Sequence, residues 1–152
     1  MNGDITGNEQ YRDATILPTD FTKVGADQIE MVGSLIGYKG EIAILSATTE
    51  APDQNYWIEG MNETLANDPK YSDMTLVATV YGDDQPEKST TEMEALLANF
   101  PNLKGIIAPT TVGIAASAQV VQSRGIAVQV KVTGLGLPSE MREFIKDGTV
   151  EG

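Results

Sequence analysis

Short apolar runs alternate along this chain with longer segments in which apolar residues recur at helical spacing. The apolar runs predict strands over residues 41–48, 74–82, 104–110 and 128–136. Runs as uniformly apolar as "EIAILSA" are typical of strands that are buried on both faces of a parallel sheet. The closing residues "TVEG" look like the start of a fifth strand.

The segments around these runs predict helices. They cover about residues 20–36, 52–66, 83–101, 111–125 and 137–148. Thr19 or Asp20 is the predicted cap of the first helix, and Ser139 is the predicted cap of the last. Because short strands alternate with helices, the chain should form βαβ units. We therefore predict an α/β fold, a doubly wound parallel sheet in a three-layer α/β/α sandwich.

The composition excludes several kinds of chemistry. The net charge of −12 argues against nucleic acid as a partner, because phosphate binding needs a face rich in lysine and arginine. The chain has no cysteine and no histidine. This removes thiolate nucleophiles, zinc sites built on those residues and Ser-His-Asp triads. We predict no enzymatic activity, no metal and no cofactor.

The loops after the predicted strands are the candidate site. In an open parallel sheet, ligands bind beyond the carboxyl ends of the strands, where loops converge and helix N-termini point at the crevice. These loops are residues 48–55, 81–85, 109–113 and 134–140. They carry short polar side chains and almost no basic charge. That composition favours a neutral, hydroxyl-rich ligand over a phosphate.

The first loop also has a purely structural interpretation. Asp53, Gln54 and Asn55 can simply start and cap a helix, as short polar residues do widely. Trp57 has helical spacing with apolar residues further along and can belong to the core.

The other loops have similar alternatives. Thr110 or Thr111 can cap the fourth helix, and "GLGLP" can be a tight turn, since it lacks the spacing of a glycine-rich phosphate loop. Asp83 and Asp84 follow the second strand and could join a magnesium site, but the third strand ends in "APTT" and supplies no further acid. We therefore do not favour a metal.

Three stretches of the sequence carry a family resemblance. They are "GEIAILSATTEAPDQNYWIEGM", "YGDDQPEKSTTEMEALLANFPNLKGIIAPTTVGIAASAQVV" and "VTGLGLPSEMREFIKDGTV". Together they resemble the sugar-type periplasmic binding proteins of ABC importers, in the branch of rhamnose-binding and autoinducer-2-binding subunits. The stretches "PTT" and "GLGLP" depart from the autoinducer-2 pattern and favour the rhamnose group.

The resemblance implies a division of the chain. Such proteins have two α/β lobes that are joined by hinge strands and close on a ligand, and this chain resembles the second lobe only. We expect residues 1–16 to be a hinge-proximal segment and residues 17–152 to be a single solute-binding lobe of the type I kind. The first lobe and the signal peptide are expected to be absent from this chain.

The resemblance also implies roles for individual residues. Asp53 and Gln54 match an acid–amide pair that binds ligand hydroxyls, Pro109 and Thr111 match positions after the third strand, and Asp4 matches a hinge acid. The complete set of predicted ligand-binding residues is Asp53, Gln54, Asn55, Trp57, Pro109, Thr110, Thr111, Leu137 and Asp4.

The expected function is that of a substrate-binding subunit of an ABC-type sugar importer. It would bind a small neutral polyol such as rhamnose in a cleft between two lobes. The expected partners are the sugar, the missing first lobe, the importer's membrane subunits and, for an isolated lobe, a second copy. We expect a periplasmic protein or an extracellular lipoprotein. The alternatives are an autoinducer-2 binding protein and the effector-binding core of a sugar-responsive transcription regulator.

Overall fold

A computed structural model describes the backbone of residues 21–151 and the side chains of residues 23–151. The predicted caps Thr19 and Asp20, the hinge acid Asp4 and the segment 1–16 lie outside the described residues. The elements run in the order α1 (Phe21–Ile36), β1 (Gly40–Ser46), α2 (Pro52–Asn67), β2 (Met74–Tyr81), α3 (Pro86–Asn99), β3 (Leu103–Ala108), α4 (Thr111–Arg124), β4 (Lys131–Gly134) and α5 (Pro138–Lys146). A single 3₁₀ turn, Pro69–Tyr71, joins α2 to β2.

The strands form one parallel sheet in the order β2-β1-β3-β4. Val150 adds a parallel bridge to Val132 of β4, and it belongs to the closing residues that look like the start of a fifth strand in the sequence. Because the chain moves outward from β1 to β2 and then crosses back to β3, the direction of winding reverses between β1 and β3. In doubly wound sheets this switch point is where a crevice opens at the carboxyl ends of the strands.

Helices cover both faces of the sheet. Ile42 and Ile44 of β1 point to one face, where they pack in a buried cluster with residues of α1 and α2. Ala43 and Leu45 point to the other face and pack against α3, α4 and α5. The alternation follows from the two-residue period of a strand. It confirms the predicted α/β fold with a doubly wound sheet between two helical layers.

Two local predictions are wrong. The fourth strand is shorter than its apolar pattern suggests, because Gly125 adopts a left-handed conformation that ends α4. Ile126 then accepts backbone hydrogen bonds from Gln129 and Val130 in a turn, which leaves Val128 90% exposed. Ser139 does not cap α5, since the helix already begins at Pro138.

No helix among residues 21–151 has the length and apolar content that crossing a membrane requires.

Candidate ligand-binding site

An open pocket of about 300 Å³ lies at the carboxyl ends of the strands, at the switch point between β1 and β3. Its walls come from the loops that follow all four strands and from the first turns of α2 and α4. The residues that line it are Ala51, Pro52, Asp53, Gln54, Trp57, Asp84, Pro109, Thr110, Thr111 and Leu135.

Asp53 sits in the first turn of α2 and lines the pocket. Pro52 opens this helix, where a missing N–H is tolerated, and Ala51 is the N-cap without a side-chain hydrogen bond. The predicted role of Asp53 as a helix cap is therefore not what the structure shows. The carboxylate makes no hydrogen bond or ion pair within the described part of the chain, so both oxygens are available to a ligand. The helix N-terminus favours the negative charge at this place.

Only the Nε2 group of the Gln54 side chain is available to a ligand. Its Oε1 accepts a hydrogen bond from Ser46 Oγ at 2.6 Å and another from the backbone N–H of Ala47 at 2.8 Å. These two bonds tie α2 to the end of β1 and fix the orientation of the amide. Nε2 remains as a hydrogen-bond donor for the pocket.

Asn55 and Trp57 contribute differently from their neighbours. Asn55 does not line the pocket, because its Nδ2 donates to the carbonyl of Thr49 at 2.7 Å and closes the preceding loop. Trp57 is 7% exposed and packs in the cluster between α1, α2 and the sheet, yet its edge also reaches the pocket wall. Both interpretations of Trp57 therefore describe part of its environment.

The loop after β3 places Pro109, Thr110 and Thr111 on the opposite wall. Thr110 is the N-cap of α4 by position, but its hydroxyl does not bond to that helix. Instead Thr110 Oγ1 donates to Asp84 Oδ1 at 2.5 Å. Thr111 is the first residue of the helix, and the N-cap Thr110 makes no side-chain cap hydrogen bond.

Asp84 lines the pocket but is not among the ligand-binding residues that the sequence predicts, because the pair Asp83 and Asp84 suggests only a metal site. It lies in the turn Gly82–Gln85, where the N–H of Gln85 bonds to the carbonyl of Gly82 at 2.9 Å. The turn is attached to the loop after β1 through the N–H of Asp83, which donates to the carbonyl of Ala47 at 2.7 Å. No group of three or more acidic side chains in the described residues could hold a metal ion.

In the loop after β4, the leucine that lines the pocket lies two residues before the predicted one. Leu135 lines the pocket and is 42% exposed, whereas Leu137 is the N-cap of α5, is 50% exposed and lies outside the lining. Tyr56, which is also 50% exposed, lies beside Asn55 in the first turns of α2. The side of the sheet that bears the pocket thus carries three large apolar side chains open to solvent.

The charge of the pocket is acidic. Among the described residues 23–151, Asp53 and Asp84 are the charged side chains that line it, and no lysine or arginine of this range does so. Such a pocket favours ligands that donate hydrogen bonds and disfavours ligands that carry negative charge.

A family model described as periplasmic binding protein domain matches residues 1–152. A solved sugar ABC transporter from Actinomyces odontolyticus ATCC 17982 is 46% identical, with a TM-score of 0.88 over 92% of this chain and 45% of that chain.

Two further solved structures are similar and contain bound sugars. An ABC transporter solute-binding protein from Clostridium phytofermentas with bound L-rhamnose is 42% identical, with a TM-score of 0.82 over 87% of this chain and 41% of that one. A solute-binding protein from Burkholderia graminis C4D1M in complex with D-arabinose is 30% identical, with a TM-score of 0.77 over 88% of this chain and 46% of that one. The chain thus spans less than half the length of these structures.

Proposed function

This chain belongs to the periplasmic binding protein domain family, and we propose that it forms one of the two sugar-binding lobes of a solute-binding subunit that serves an ABC importer. The observation that carries the proposal is the pocket at the switch point, where an unpaired carboxylate, a fixed amide and two threonines meet. Solute-binding proteins capture a ligand without transforming it, and we infer no catalytic step for this chain.

The chemistry of the lining supports a small neutral polyol. Asp53 presents a carboxylate that can accept from ligand hydroxyls, and hydrogen bonds to a charged group contribute more than neutral ones. Gln54 Nε2 can donate to a ring or hydroxyl oxygen. Because the similar structure from Clostridium phytofermentas holds L-rhamnose, we propose this deoxyhexose as the first ligand to test.

The shape of the pocket supports a second lobe. Three large apolar side chains are exposed to solvent here, Leu135 in the pocket lining and Tyr56 and Leu137 in the segments next to it, and we refer to them as the rim. We propose that the other lobe covers this rim and closes over the ligand, by the hinge motion known for binding proteins of this architecture. Asp4 would lie at the hinge. An isolated lobe could instead cover the same rim with a second copy of itself.

The proposed setting follows from the family. The partner in transport would be the membrane subunits of an ABC importer, and the protein would act in the periplasm or as an extracellular lipoprotein. The assignment to the rhamnose group rather than to autoinducer-2 binders is part of the proposal.

An amide NMR titration tests the proposal directly. L-Rhamnose is added to tens of millimolar, since a single lobe offers only part of the contacts of a closed site. We expect shifts confined to residues 53–57, 84, 109–112 and 135–139. D-Arabinose, autoinducer-2 and a neutral disaccharide serve as comparison ligands. Shifts with autoinducer-2 alone would reassign the ligand, and shifts spread over the surface for all of them would contradict a site at this pocket.

A further inference from the structure

We propose that Asp84 is a second ligand-facing acid of this pocket and selects neutral, hydroxyl-rich ligands over anionic ones. Because Asp84 takes the hydroxyl proton of Thr110, Thr110 is left to accept a hydrogen bond from the ligand. The inference rests on the proposed function, because it names the substrate class of the same site. It concerns a residue in the loop after β2, which the resemblance does not mark as ligand-binding.

The backbone of the turn Gly82–Gln85 directs Asp84 to the pocket. Asp83 and Asp84 have φ of 53° and 51°, and both are therefore in the left-handed region. With the bond from the N–H of Gln85 to the carbonyl of Gly82, this is a type I′ turn. Aspartate tolerates this region better than most residues other than glycine, although it does so at a cost in energy. The chain thus uses a demanding conformation at the place where Asp84 meets the pocket.

The surroundings of the turn maintain this conformation. The N–H groups of Gly82 and Asp83 donate to the carbonyls of Ser46 and Ala47 at 2.9 and 2.7 Å, so the turn is attached to the end of β1. A Cβ atom at position 82 would lie 2.1 Å from Ser89 Oγ, which shows how closely the turn rests on α3. The turn is therefore positioned by two neighbouring elements rather than by its own sequence alone.

The hydrogen bond between Thr110 and Asp84 decides whether the wall after β3 donates or accepts hydrogen bonds. A threonine hydroxyl has one proton, and Thr110 gives it to Asp84 Oδ1. Thr110 Oγ1 can then only accept a hydrogen bond from a ligand. Since Gln54 Oε1 is occupied by Ser46 and Ala47, the amide of Gln54 offers only a donor.

The pocket consequently presents acceptors on both walls. Asp53 lies on the α2 side, while Asp84 and Thr110 lie on the other side. A ligand that donates from hydroxyls on two of its edges satisfies both walls. A sugar acid would bring a carboxylate next to two others, and no cation from the described part of the chain lines the pocket to offset them. Like charges repel strongly where water is excluded.

Two neighbouring variants separate this role from a structural one. Asp84→Asn removes the charge but keeps an oxygen that can accept from Thr110, and asparagine also tolerates a left-handed φ. Asp83→Asn makes the same change one residue earlier in the same turn. Asp83 does not line the pocket, and its carboxylate pairs with Lys88 at 2.5 Å on the surface. The second variant therefore controls for the charge and for the turn.

The experiment measures binding of L-rhamnose and of D-galacturonate, a pyranose with a carboxylate, to the wild-type chain and both variants by amide NMR. We expect Asp84→Asn to weaken L-rhamnose binding roughly tenfold, the order expected for loss of a charged hydrogen bond. We also expect this variant alone to bind D-galacturonate more tightly than the wild type does. Asp83→Asn should match the wild type with both ligands.

The possible outcomes separate the role of Asp84 from the proposed sugar-binding function. If the wild type binds L-rhamnose and Asp84→Asn binds both ligands as the wild type does, the role of Asp84 is wrong while the sugar site stands. If both variants change equally, the effect belongs to the turn and the role of Asp84 is again wrong. If the wild type shows no localised shifts with any neutral sugar, the proposed function fails and this inference fails with it.

Discussion

Lys70 Nζ lies 2.6 Å from Glu30 Oε2 and ties the start of the turn after α2 to the middle of α1. Two tyrosines complete the contact, since the hydroxyl of Tyr38 donates to Glu30 Oε1 at 2.8 Å and that of Tyr71 donates to Oε2 at 2.6 Å. The ammonium group also lies 4.6 Å from the centre of the Tyr38 ring. One carboxylate thus joins three segments on the α1–α2 face of the sheet.

This cluster makes the fold sensitive to acid. The hydrogen bond from Lys70, followed by those from Tyr71 and Tyr38, lowers the pKa of Glu30 from 4.5 to about 2. A carboxyl group whose pKa is lower in the folded state stabilises the fold above its unfolded pKa, and this contribution is lost as the pH falls through the folded value. We therefore expect the free energy of unfolding to fall between pH 4.5 and about 2, and to fall less in Glu30→Gln.

Urea unfolding at a series of pH values measures this effect. Glu59→Gln on the exposed side of α2 is the control, and it should keep the wild-type acid dependence. Identical slopes for the wild type and Glu30→Gln over this range would show that Glu30 does not carry the acid sensitivity.

At Gly25, α1 packs directly against the backbone of α2. A Cβ atom at position 25 would lie 2.6 Å from the carbonyl oxygen of Trp57 and 2.7 Å from the backbone N of Met61. Because these are backbone atoms, the helices would have to separate. We expect Gly25→Ala to destabilise the protein by about 1–3 kcal/mol, the usual cost of overpacking, despite the better helix propensity of alanine.

Gly60 is the matched position on the other helix. A Cβ atom there would meet only the Cα of Gly25, at an ordinary 3.6 Å. Gly60→Ala should be neutral or stabilise the protein by up to about 1 kcal/mol through helix propensity. Denaturant midpoints of the two variants compare them directly. Equal destabilisation by both would mean that helix crossing does not decide the effect.

The sequence predicts the helices and strands of this fold better than the residues at which they begin and end. The continuous apolar run of β1 is unambiguous, because both faces of that strand are buried. The segment that starts at Val128 alternates apolar and polar residues as a strand does, yet Val128 is 90% exposed in a turn. Periodicity does not reveal this turn, because it follows from the left-handed conformation of Gly125, which ends α4 and redirects the chain. The strand order is a property of packing that the pattern along the chain does not contain.

The site is predictable to the extent that it follows the strand ends. Asp53, Gln54, Pro109, Thr110 and Thr111 line the pocket because they come directly after β1 and β3, which flank the switch point. The pocket position of Asp84 depends on a type I′ turn formed by two aspartates, without the Asn-Gly signal that usually marks this turn. The sequence predicts Asn55 as a ligand residue beside Asp53 and Gln54, but its side chain closes the loop instead.

Asp53 should carry the largest share of ligand binding in this lobe. Asp53 lines the pocket, and its carboxylate has no partner in the described part of the chain. Hydrogen bonds to a charged group contribute about 1.5–3 kcal/mol, so Asp53→Ala should weaken L-rhamnose binding at least tenfold. Stability should fall by no more than about 1 kcal/mol, the usual effect of an acid in a first helical turn.

Amide NMR titration and urea unfolding measure the two effects separately. Glu59→Ala, which removes an exposed acid from the same helix, should leave ligand binding unchanged. Wild-type affinity in Asp53→Ala would remove this residue from the site, and a large loss of stability would give it a structural role instead.

Ser46 should affect ligand affinity without contacting the ligand, because it orients Gln54. It is fully buried at the end of β1, and its hydroxyl donates to Gln54 Oε1 at 2.6 Å. In Ser46→Ala the backbone N–H of Ala47 still holds this oxygen, so the amide stays in place but can pivot about a single bond. We expect a loss of about 1 kcal/mol in stability and a several-fold weaker affinity for L-rhamnose.

Thr49→Ala is the control for this change, because Thr49 is an exposed hydroxyl residue in the loop that follows β1 and does not line the pocket. The carbonyl of Thr49, which accepts from Asn55, is kept in the variant. If Ser46→Ala and Thr49→Ala bind L-rhamnose equally well, the bond from Ala47 alone is enough to orient Gln54. If only Ser46→Ala binds L-rhamnose more weakly, both hydrogen bonds to Gln54 Oε1 are needed. They then orient the amide so that its Nε2 donates to the ligand.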